Sequence, residues 1–421
     1  MTTRVLSCFV LLLALAGTLH AAEWYRGNLH MHSFWSDGNV YPEQAVDWYK
    51  DNGYQFVVLS DHTNLQLDPQ RWSNVGTSER GLALFAKYVE KYGQPETREN
   101  DGKQQVRLHT IHELKKKLDV PGKFLMIPGH EMNASTNGVT LHGNAINVTE
   151  TIPFQRSGTL MESIDKNALA VKKNGDDHGH LSVFMLNHPH WPYYDIDPIS
   201  MINTKATPMY EFVNAHGGVA AKWNESDRFW GRESLWDIVT AFRLVKGLPV
   251  MYGTGTDDTH NYTEFKNRGD NPGMGWVMVR AEKLEPNAIV QAMLQGDFYS
   301  SNGVELENIA FDKSTGTLSV KVKPVAGVKY RIQFIGTKKD FDQTVVPFEV
   351  EKTDKNPARK GWTFSKDIGI ELAAVDGIEA SYRLKSDDLY VRAVISSDQE
   401  KKIHAGLAPK VSTAWTQPFC P

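Results

Sequence analysis

Short apolar runs recur along the larger, N-terminal part of the chain, and each is bounded by glycine, aspartate or proline. Runs of this length and composition are typical of strands that are buried on both faces of a parallel sheet. With helical patterns between them, they predict an α/β fold. Five of the runs lead into histidine or carboxylate side chains: Leu29, Phe56–Leu59, Phe124–Ile127, Leu181–Leu186 and Leu248–Tyr252.

The polar residues that follow these runs predict a metal site. In a β/α barrel, the residues just past the strand ends form the active-site face, so these side chains would converge on one pocket. His30 and His32 are two residues apart, share one face of an extended chain and can hold one ion together. A single histidine at a strand end is more often a hydrogen-bonded structural residue than a ligand. The same chemistry at five independent strand ends instead predicts a multinuclear centre.

The order of these motifs resembles that of the PHP (polymerase and histidinol phosphatase) metallo-phosphoesterases, over about residues 24–303. The resemblance implies a distorted seven-stranded barrel, the (β/α)7 PHP barrel, that holds up to three Zn, Mn or Fe ions. The motifs that carry it are His30-Met31-His32, Ser36-Asp37-Gly38, Ser60-Asp61-His62, a glutamate after an apolar strand, Asn187-His188-Pro189 and Asp258-Thr259-His260.

Matching the motifs position by position implies nine metal ligands. Glu131 corresponds to the carboxylate that bridges two ions. His142 is the candidate for the histidine that usually follows this glutamate, on a looser spacing. The complete set is His30, His32, Asp37, His62, Glu131, His142, His188, Asp258 and His260.

The residue types in this set select the metal and the chemistry. Imidazole and carboxylate suit Zn, Mn and Fe, whereas Ca and Mg prefer all-oxygen ligands. No thiolate is nearby, since Cys420 lies at the far C-terminal end. Glu131 could hold two ions about 3.5–4 Å apart, and bound water with a pKa near about 7 would supply a hydroxide nucleophile. We therefore expect two to three divalent ions as cofactors and a catalytic role for Glu131.

The residues that would bind the substrate are less well marked. Asp257 adjoins the ligand Asp258 and is either a supporting carboxylate or a catalytic general acid/base. The segments 63–123 and 189–248 are long, and such insertions set specificity in barrel enzymes. Cations in or near them could grip an anionic substrate, although solvated surface is the default for each. The substrate-binding candidates are Lys222, Arg228, Arg232, Arg268 and His190, which follows His188 by two positions.

Other histidines are expected to be structural. His130 points to the opposite side from Glu131 if the strand continues through both residues. His178 and His180 repeat the His-x-His spacing but follow Asn174-Gly175-Asp176-Asp177, which predicts a surface loop. We expect none of the three to bind metal.

Residues 1–22 are interpreted as a signal peptide. A short, weakly basic start is followed by the apolar run Val5–Gly17 and by small residues at Ala21 and Ala22. The run is shorter than the roughly 20 apolar residues of a transmembrane anchor. The mature chain would begin near Glu23 and be periplasmic or secreted, with no stable membrane anchor. Only one cysteine would remain after cleavage, so no intrachain disulfide is expected.

The pattern changes after the barrel, which is expected to occupy residues 23–303. Leu318–Lys323, Tyr330–Ile335 and Leu389–Ile395 alternate apolar and polar residues, as half-buried antiparallel strands do. Residues 304–421 are therefore predicted to form a C-terminal all-β, sandwich-like domain.

Composition and motifs leave three functional hypotheses. The net charge is −4 without a basic run, which argues against a nucleic-acid partner. The first hypothesis is an exported phosphoesterase that hydrolyses small phosphomonoesters or diesters through a metal-bridging hydroxide, so its partner is a small anionic substrate. The second is a hydrolase of carbamates or carboxyl esters that uses the same centre. The third is a non-enzymatic metal-binding or scaffold protein, which would not need nine ligands.

Overall fold

The computed structural model describes residues 22–190, 196–216, 231–265, 269–351, 358–401 and 410–421. The predicted signal peptide, apart from its last residue, lies outside these ranges. The helices are α1 (Pro42–Asp51), α2 (Glu79–Tyr92), α3 (Ile111–Leu118), α4 (Leu160–His178), α5 (Pro198–Asn203), α6 (Arg232–Val245) and α7 (Pro286–Leu294). None of these helices is both long enough and apolar enough to cross a membrane.

The strands alternate with the helices over the first part of the chain and then follow one another directly. They are β1 (Glu23–Asn28), β2 (Phe56–Leu59), β3 (Trp72–Asn74), β4 (Thr97–Asn100), β5 (Lys103–Arg107), β6 (Leu125–Thr136), β7 (Val139–Ile146), β8 (Val183–Leu186), β9 (Met209–Asn214), β10 (Tyr252–Thr256), β11 (Trp276–Ala281), β12 (Phe298–Ser301), β13 (Leu306–Asp312), β14 (Thr317–Val322), β15 (Tyr330–Lys338), β16 (Val346–Val350), β17 (Arg359–Thr363), β18 (Ile370–Asp376), β19 (Glu379–Arg383), β20 (Asp388–Lys401) and β21 (Lys410–Thr416).

The predicted ligands lie in or after six of seven neighbouring strands, whose order is β10-β9-β8-β7-β6-β2-β1; β9 is the member without a predicted ligand. The pairs β1–β2, β2–β6, β8–β9 and β9–β10 are parallel, and helices connect most of them. All four residues of β2 and of β8 are buried, as expected for parallel strands that are covered on both faces. The predicted α/β class is confirmed as a mixed α/β fold with antiparallel additions.

The two outer members of this group, β1 and β10, meet just beyond their C-terminal ends. Asp258 N donates to His30 O at 3.0 Å, and His32 N donates to Thr259 O at 2.9 Å. These backbone bonds place the His30-x-His32 and Asp258-x-His260 motifs side by side. Closure of the whole group into the predicted barrel stays a prediction.

The hairpin of β6 and β7 departs from the expected all-parallel pattern. We predicted Glu131 to lie beyond a short strand, but it is inside a twelve-residue strand that turns back antiparallel. The connection is the two-residue turn Asn137-Gly138, with φ of 52° and 79°. Two consecutive residues with positive φ make a tight hairpin that matches the strand twist. The turn returns the chain so that His142 pairs across from Asn133, close to Glu131.

The long segments predicted between strands contain regular structure of their own. Residues 63–123 include α2, α3 and the small antiparallel sheet β3-β5-β4. Residues 189–248 include α5, β9 and α6, so β9 is a ligand-side strand that the sequence analysis missed.

The C-terminal part continues the main sheet instead of standing apart from it. Strands β1-β11-β12-β21-β20-β15-β18 are consecutive antiparallel neighbours, and Ser300 of β12 pairs with Trp415 of β21. A second antiparallel sheet, β13-β14-β19, shares one apolar core with the main sheet, in which Leu318 and Ile332 join Val57. The predicted antiparallel strands after residue 303 are therefore present, and their core is continuous with that of the first part.

A buried ion pair joins the C-terminal part to helix α6. Arg392 Nε and Nη2 donate to the two carboxylate oxygens of Asp237 at 2.8 and 2.6 Å. Tyr390 Oη donates to the same carboxylate at 2.7 Å. Paired and hydrogen-bonded in this way, the charges are acceptable in a buried site.

Candidate metal centre

The strand ends bring histidines and carboxylates into three overlapping clusters at one end of the sheet. In each cluster, one ligand atom from every member lies within 4.8 Å of the others. The clusters are His30, His32 and Asp258; His62, Glu131 and His142; and His32, Asp37, His62 and His260. Eight of the nine predicted ligands are therefore members of a cluster.

The first cluster is fully buried and centres on Asp258. His30 Nε2 and His32 Nε2 each lie 3.2 Å from Asp258 Oδ1. The same two nitrogens lie 3.3 and 3.5 Å from Glu131 Oε2. The two imidazoles of the first motif thus face one space between two carboxylates, as predicted for residues two apart on an extended chain.

Glu131 connects the first cluster to the second. Its Oε2 lies 2.9 Å from His62 Nδ1, and its Oε1 lies 3.0 Å from His142 Nδ1. The ninth predicted ligand, His188, also faces Glu131 Oε1, with its Nε2 at 3.5 Å. The two oxygens of Glu131 therefore face different sets of histidines, which is the arrangement that a bridging carboxylate requires.

The third cluster forms the outer rim. Asp37 Oδ2 lies 3.4 Å from His260 Nε2 and 3.6 Å from His62 Nε2. The side chain of Asp37 is 54% exposed, whereas those of His62 and His260 are 24% and 14% exposed. Because the first cluster is buried, this rim is the side from which solvent reaches the centre.

Several buried nitrogens of the centre have no hydrogen bond within the described residues. They are His30 Nε2, His32 Nε2 and His62 Nδ1. His62 Nδ1 is close to Glu131 but is not aligned for a hydrogen bond. A buried polar atom without a hydrogen bond destabilises the folded state. Coordination to metal ions would give each of the three nitrogens a partner. Imidazole nitrogen with carboxylate oxygen is also the donor set that Zn, Mn and Fe prefer, so the residues fit divalent ions.

The charges around the centre favour the ligand forms of His32 and Glu131, whereas for His30, His62 and His260 burial, which lowers the pKa, is outweighed by neighbouring carboxylates, which raise it. Burial and the neighbouring His260 lower the pKa of His32 to about 3, which keeps that imidazole neutral. Burial alone would raise the pKa of Glu131, but His30, His62 and His142 hold it well below its usual range. Neutral imidazole and ionised carboxylate are the forms that bind metal.

Among the remaining catalytic and substrate-binding predictions, Asp257 and Arg232 have contacts outside the ligand clusters. Asp257 accepts hydrogen bonds from the backbone N–H groups of Gly273, Met274 and Gly275 and from Tyr49 Oη. These contacts favour a supporting carboxylate over a general acid/base, and a catalytic role for Asp257 stays a prediction. The Arg232 guanidinium lies 5.4 Å from the ring of Trp415, on the side of β21.

One of the other substrate-binding candidates lies within the described residues. Lys222, Arg228 and Arg268 lie outside the described residues. His190 is described and partly buried, and burial lowers its pKa well below the ordinary value. A role for these four residues in substrate binding stays a prediction.

The histidines that we expected to be structural have backbone partners. His130 Nε2 accepts a hydrogen bond from Ile152 N at 3.0 Å, as a structural histidine would, and the absence of a metal role for it stays a prediction. His178 Nδ1 donates to Asn174 O, and His180 Nε2 donates to Asn147 O. The predicted loop was wrong for His178, which is the last residue of α4. The glycine that follows has φ 72° and ends the helix.

Strand β9 adds polar residues to the centre that the sequence analysis did not select. Its residues 209–214 are all buried, and Glu211 Oε1 lies 2.6 Å from His30 Nδ1. Beyond the strand, His216 and Asp270 form a further group with His260, with ligand atoms within 4.8 Å. The signal was present as the run Met209–Val213 followed by Asn214 and His216, the same pattern that identified the other strands.

Comparison with known proteins gives structural neighbours only. No family model and no curated protein matches the chain. A two-domain protein from Bacteroides vulgatus that contains a predicted PHP-like metal-dependent phosphoesterase is 17% identical, with a TM-score of 0.40, over 87% of this chain and 96% of the other. A putative metal-dependent phosphoesterase from Bifidobacterium adolescentis is 13% identical, with a TM-score of 0.32, over 58% of this chain and 90% of the other.

A third neighbour has a different description. It is an amidohydrolase from Chromobacterium violaceum, solved with bound sulfate and no metal, that is 12% identical with a TM-score of 0.30, over 65% of this chain and 96% of the other. At these TM-scores, the similarities carry no inference about the activity of this chain. The first of these neighbours is described as PHP-like, in agreement with the resemblance that the sequence predicted, and a secreted branch stays a prediction.

Proposed function

We propose that this protein is a metal-dependent hydrolase that cleaves small phosphomonoesters or diesters. The observation that carries the proposal is the set of three overlapping ligand clusters, which share His32 and His62 and meet at Glu131. One ion needs three or four ligands, so a set of nine is more than a single structural ion uses. A centre of two or three ions is the arrangement found in two-metal hydrolysis.

The nine predicted ligands would hold the ions, which are Zn, Mn or Fe in this proposal. The seven strands β10-β9-β8-β7-β6-β2-β1 would form the distorted barrel, since backbone bonds already join the ends of β1 and β10. Residues 1–22 would direct export. When bound, the divalent ions supply Lewis acidity and make water nucleophilic at neutral pH.

The surrounding residues hold the ligands in place for this chemistry. Asn187 Nδ2 donates to Glu131 Oε1 at 2.8 Å and fixes that carboxylate from the side of β8. Buried Asp61 accepts hydrogen bonds from Ser33 N at 2.8 Å and from Ser36 Oγ at 2.7 Å. These bonds fix the loop between His32 and Asp37. Preorganised groups of this kind are what transition-state stabilisation requires.

Charge balance favours an anionic substrate. Four carboxylates contact the histidines of the centre, namely those of Asp37, Glu131, Glu211 and Asp258. Three divalent ions would exceed four negative charges, whereas two ions would only balance them. A centre with three ions would thus attract a phosphate group. A charge-assisted hydrogen bond from Lys222, Arg228, Arg232 or Arg268 would strengthen the binding of that group.

The alternative is a hydrolase of carbamates or carboxyl esters at the same centre. With two ions, the carboxylates would leave the centre without net charge, and a neutral substrate would then suit it as well as an anion. Substrate preference therefore decides between the two candidates.

The test combines metal analysis with a substrate panel. Purified protein, loaded with Mn or Zn, is assayed against nitrophenyl phosphate, bis-nitrophenyl phosphate, nitrophenyl acetate and a naphthyl carbamate. We expect two to three ions per chain, phosphate ester turnover and loss of activity on chelation. Faster hydrolysis of the neutral esters would select the alternative. Less than one ion per chain, with activity unaffected by chelation, would contradict both.

A further inference from the structure

Glu211 is a buried carboxylate of β9 that contacts three of the predicted ligand residues, directly or through one side chain. Its relative exposure is 0%. Its Oε1 accepts from His30 Nδ1 at 2.6 Å and from Thr256 Oγ1 at 2.7 Å. Its Oε2 accepts from His188 N at 2.8 Å and from Asn214 Nδ2 at 3.0 Å. These four contacts occupy both carboxylate oxygens and hold the side chain of Glu211 in one orientation.

The bond to His30 decides which nitrogen of that imidazole faces the centre. With Nδ1–H donated to Glu211, the lone pair of a neutral ring is on Nε2. This Nε2 has no hydrogen bond within the described residues and lies 3.2 Å from Asp258 Oδ1. A carboxylate behind a ligand histidine fixes its tautomer and orientation and makes the imidazole a stronger ligand.

The two bonds of Oε2 act, directly or through Asn214, on ligand residues whose backbones are in unfavourable conformations. His188 has φ of 22° and Asp258 has φ of 50°, in a region that residues other than glycine rarely adopt. Glu211 Oε2 holds the N–H of His188 directly. It also holds Asn214, whose Nδ2 donates to Asp258 Oδ2 at 3.1 Å. Such conformations persist where surrounding contacts fix them.

We infer that Glu211 is a positioning residue that sets the geometry of His30, His188 and Asp258 and so determines how tightly the centre holds its ions. This inference rests on the proposed function, since it requires these residues to be metal ligands. It assigns no contact with substrate to Glu211. The effect is on metal affinity first and on turnover only as a result.

The test is Glu211→Gln, with Glu43→Gln as a matched control. Glutamine has nearly the same shape, but its amide NH₂ would face two donors in either orientation. Glu43 is also a buried carboxylate, 1% exposed, that accepts from a histidine Nδ1, that of His109, and from Tyr88 Oη. His109 belongs to none of the ligand clusters. The control therefore loses a similar buried contact without touching the centre.

Zinc affinity is measured by competition with a chromogenic chelator, ion number by native mass spectrometry and folding by thermal unfolding of the metal-free proteins. We expect Glu211→Gln to lose about 10- to 100-fold in affinity for at least one ion. Glu43→Gln should keep wild-type affinity. If Glu211→Gln does not fold, Asn214→Ala takes its place, with a loss of at least about threefold expected.

The outcomes separate this inference from the proposed function. Wild-type protein that binds no ions would contradict the proposed function itself. Wild-type protein that binds two or three ions, together with unchanged affinity in Glu211→Gln, would overturn only the role of Glu211. Equal losses of affinity in Glu211→Gln and Glu43→Gln would also overturn it, because the effect would then reflect general destabilisation.

Discussion

At the scale of single residues, Glu131 has the most contacts within the centre. Its Oε2 faces His30 of the first cluster and its Oε1 faces His142 of the second, so that removing the charge affects both clusters at once. We expect Glu131→Gln to remain folded and to lose both metal and turnover. Loss of one preorganised charge-stabilising group typically costs about 2.7–4 kcal/mol in the transition state. Elemental analysis and steady-state kinetics check this, and activity within about threefold of wild type would place the bridge elsewhere.

The two His-x-His pairs offer a matched comparison. His30→Ala and His32→Ala should each lower metal occupancy, because both imidazoles face Asp258 Oδ1. His178→Ala and His180→Ala should leave metal content and turnover unchanged, since these rings donate to backbone carbonyls away from the clusters. Metal content of the four purified variants gives the answer. Similar losses of metal in both pairs would contradict the structural role assigned to His178 and His180.

The sequence pointed to most residues of the centre because histidine and carboxylate stand out after apolar runs. It missed Glu211, because a single glutamate in the middle of a buried strand gives no pattern of its own. The bond between Glu211 and His30 joins residues on separate strands. Only the pairing order of the strands reveals which partners meet across such a distance.

At the scale of elements, a charge pair between strand β5 and helix α3 has an effect that depends on pH. Glu113 closes the capping box of α3 and accepts from Arg107 at 2.9 and 3.1 Å. Arg107 and the cap hydrogen bonds lower the pKa of Glu113 to about 2. A lowered pKa stabilises the folded state fully above the ordinary pKa, and this stabilisation is lost as the pH falls toward about 2.

Glu113→Gln tests that dependence, because glutamine can keep the cap while losing the charge. We expect the variant to unfold at lower urea concentration than wild type at about pH 7, with a smaller difference at about pH 3.5. Urea unfolding at both pH values measures this. A difference that grows on acidification would contradict the lowered pKa of Glu113.

The direction of strand β7 in the hairpin β6–β7 differs from the sequence prediction. The sequence indicated a strand before Glu131, and an all-parallel arrangement followed from the barrel analogy. The turn at Asn137-Gly138 instead sends the chain back antiparallel. Asn-Gly is a recognised hairpin signal. The sequence prediction followed the resemblance to a barrel and did not include this turn. His142 reaches Glu131 because of that turn.

At the scale of the whole molecule, the buried pair Asp237–Arg392 connects two regions that the sequence had separated at residue 303. Removing one member of a buried pair leaves the other charge unsatisfied, at a cost of about 3–5 kcal/mol. We expect Asp237→Asn to be less stable by an amount of this order. Replacing both, as Asp237→Leu with Arg392→Met, should recover much of the loss, because apolar side chains need no partner.

Chemical denaturation of the three proteins measures these differences. Asp237 belongs to no ligand cluster within the described residues, so metal affinity serves as the control and should not change. If Asp237→Asn is as stable as wild type, solvent reaches the pair of Asp237 and Arg392 and the pair is not buried. The sequence could not predict the contact, because its members come from a helix of one region and a strand of the other.

The pairing of β12 with β21 also has a consequence for how the chain folds. Ser300 of β12 pairs with Trp415 of β21, and Glu23 of β1 pairs with Ala281 of β11. Each of these strand edges stays uncovered until its partner strand is available. Contacts between residues so far apart in sequence make folding slow, because a long loop must close before the contact is gained. During synthesis, β12 exposes an unpaired edge until the residues of β21 have emerged. A ribosome-bound chain that stops before residue 410 should therefore bind chaperones and resist compaction, and release of the longer chain should end both behaviours.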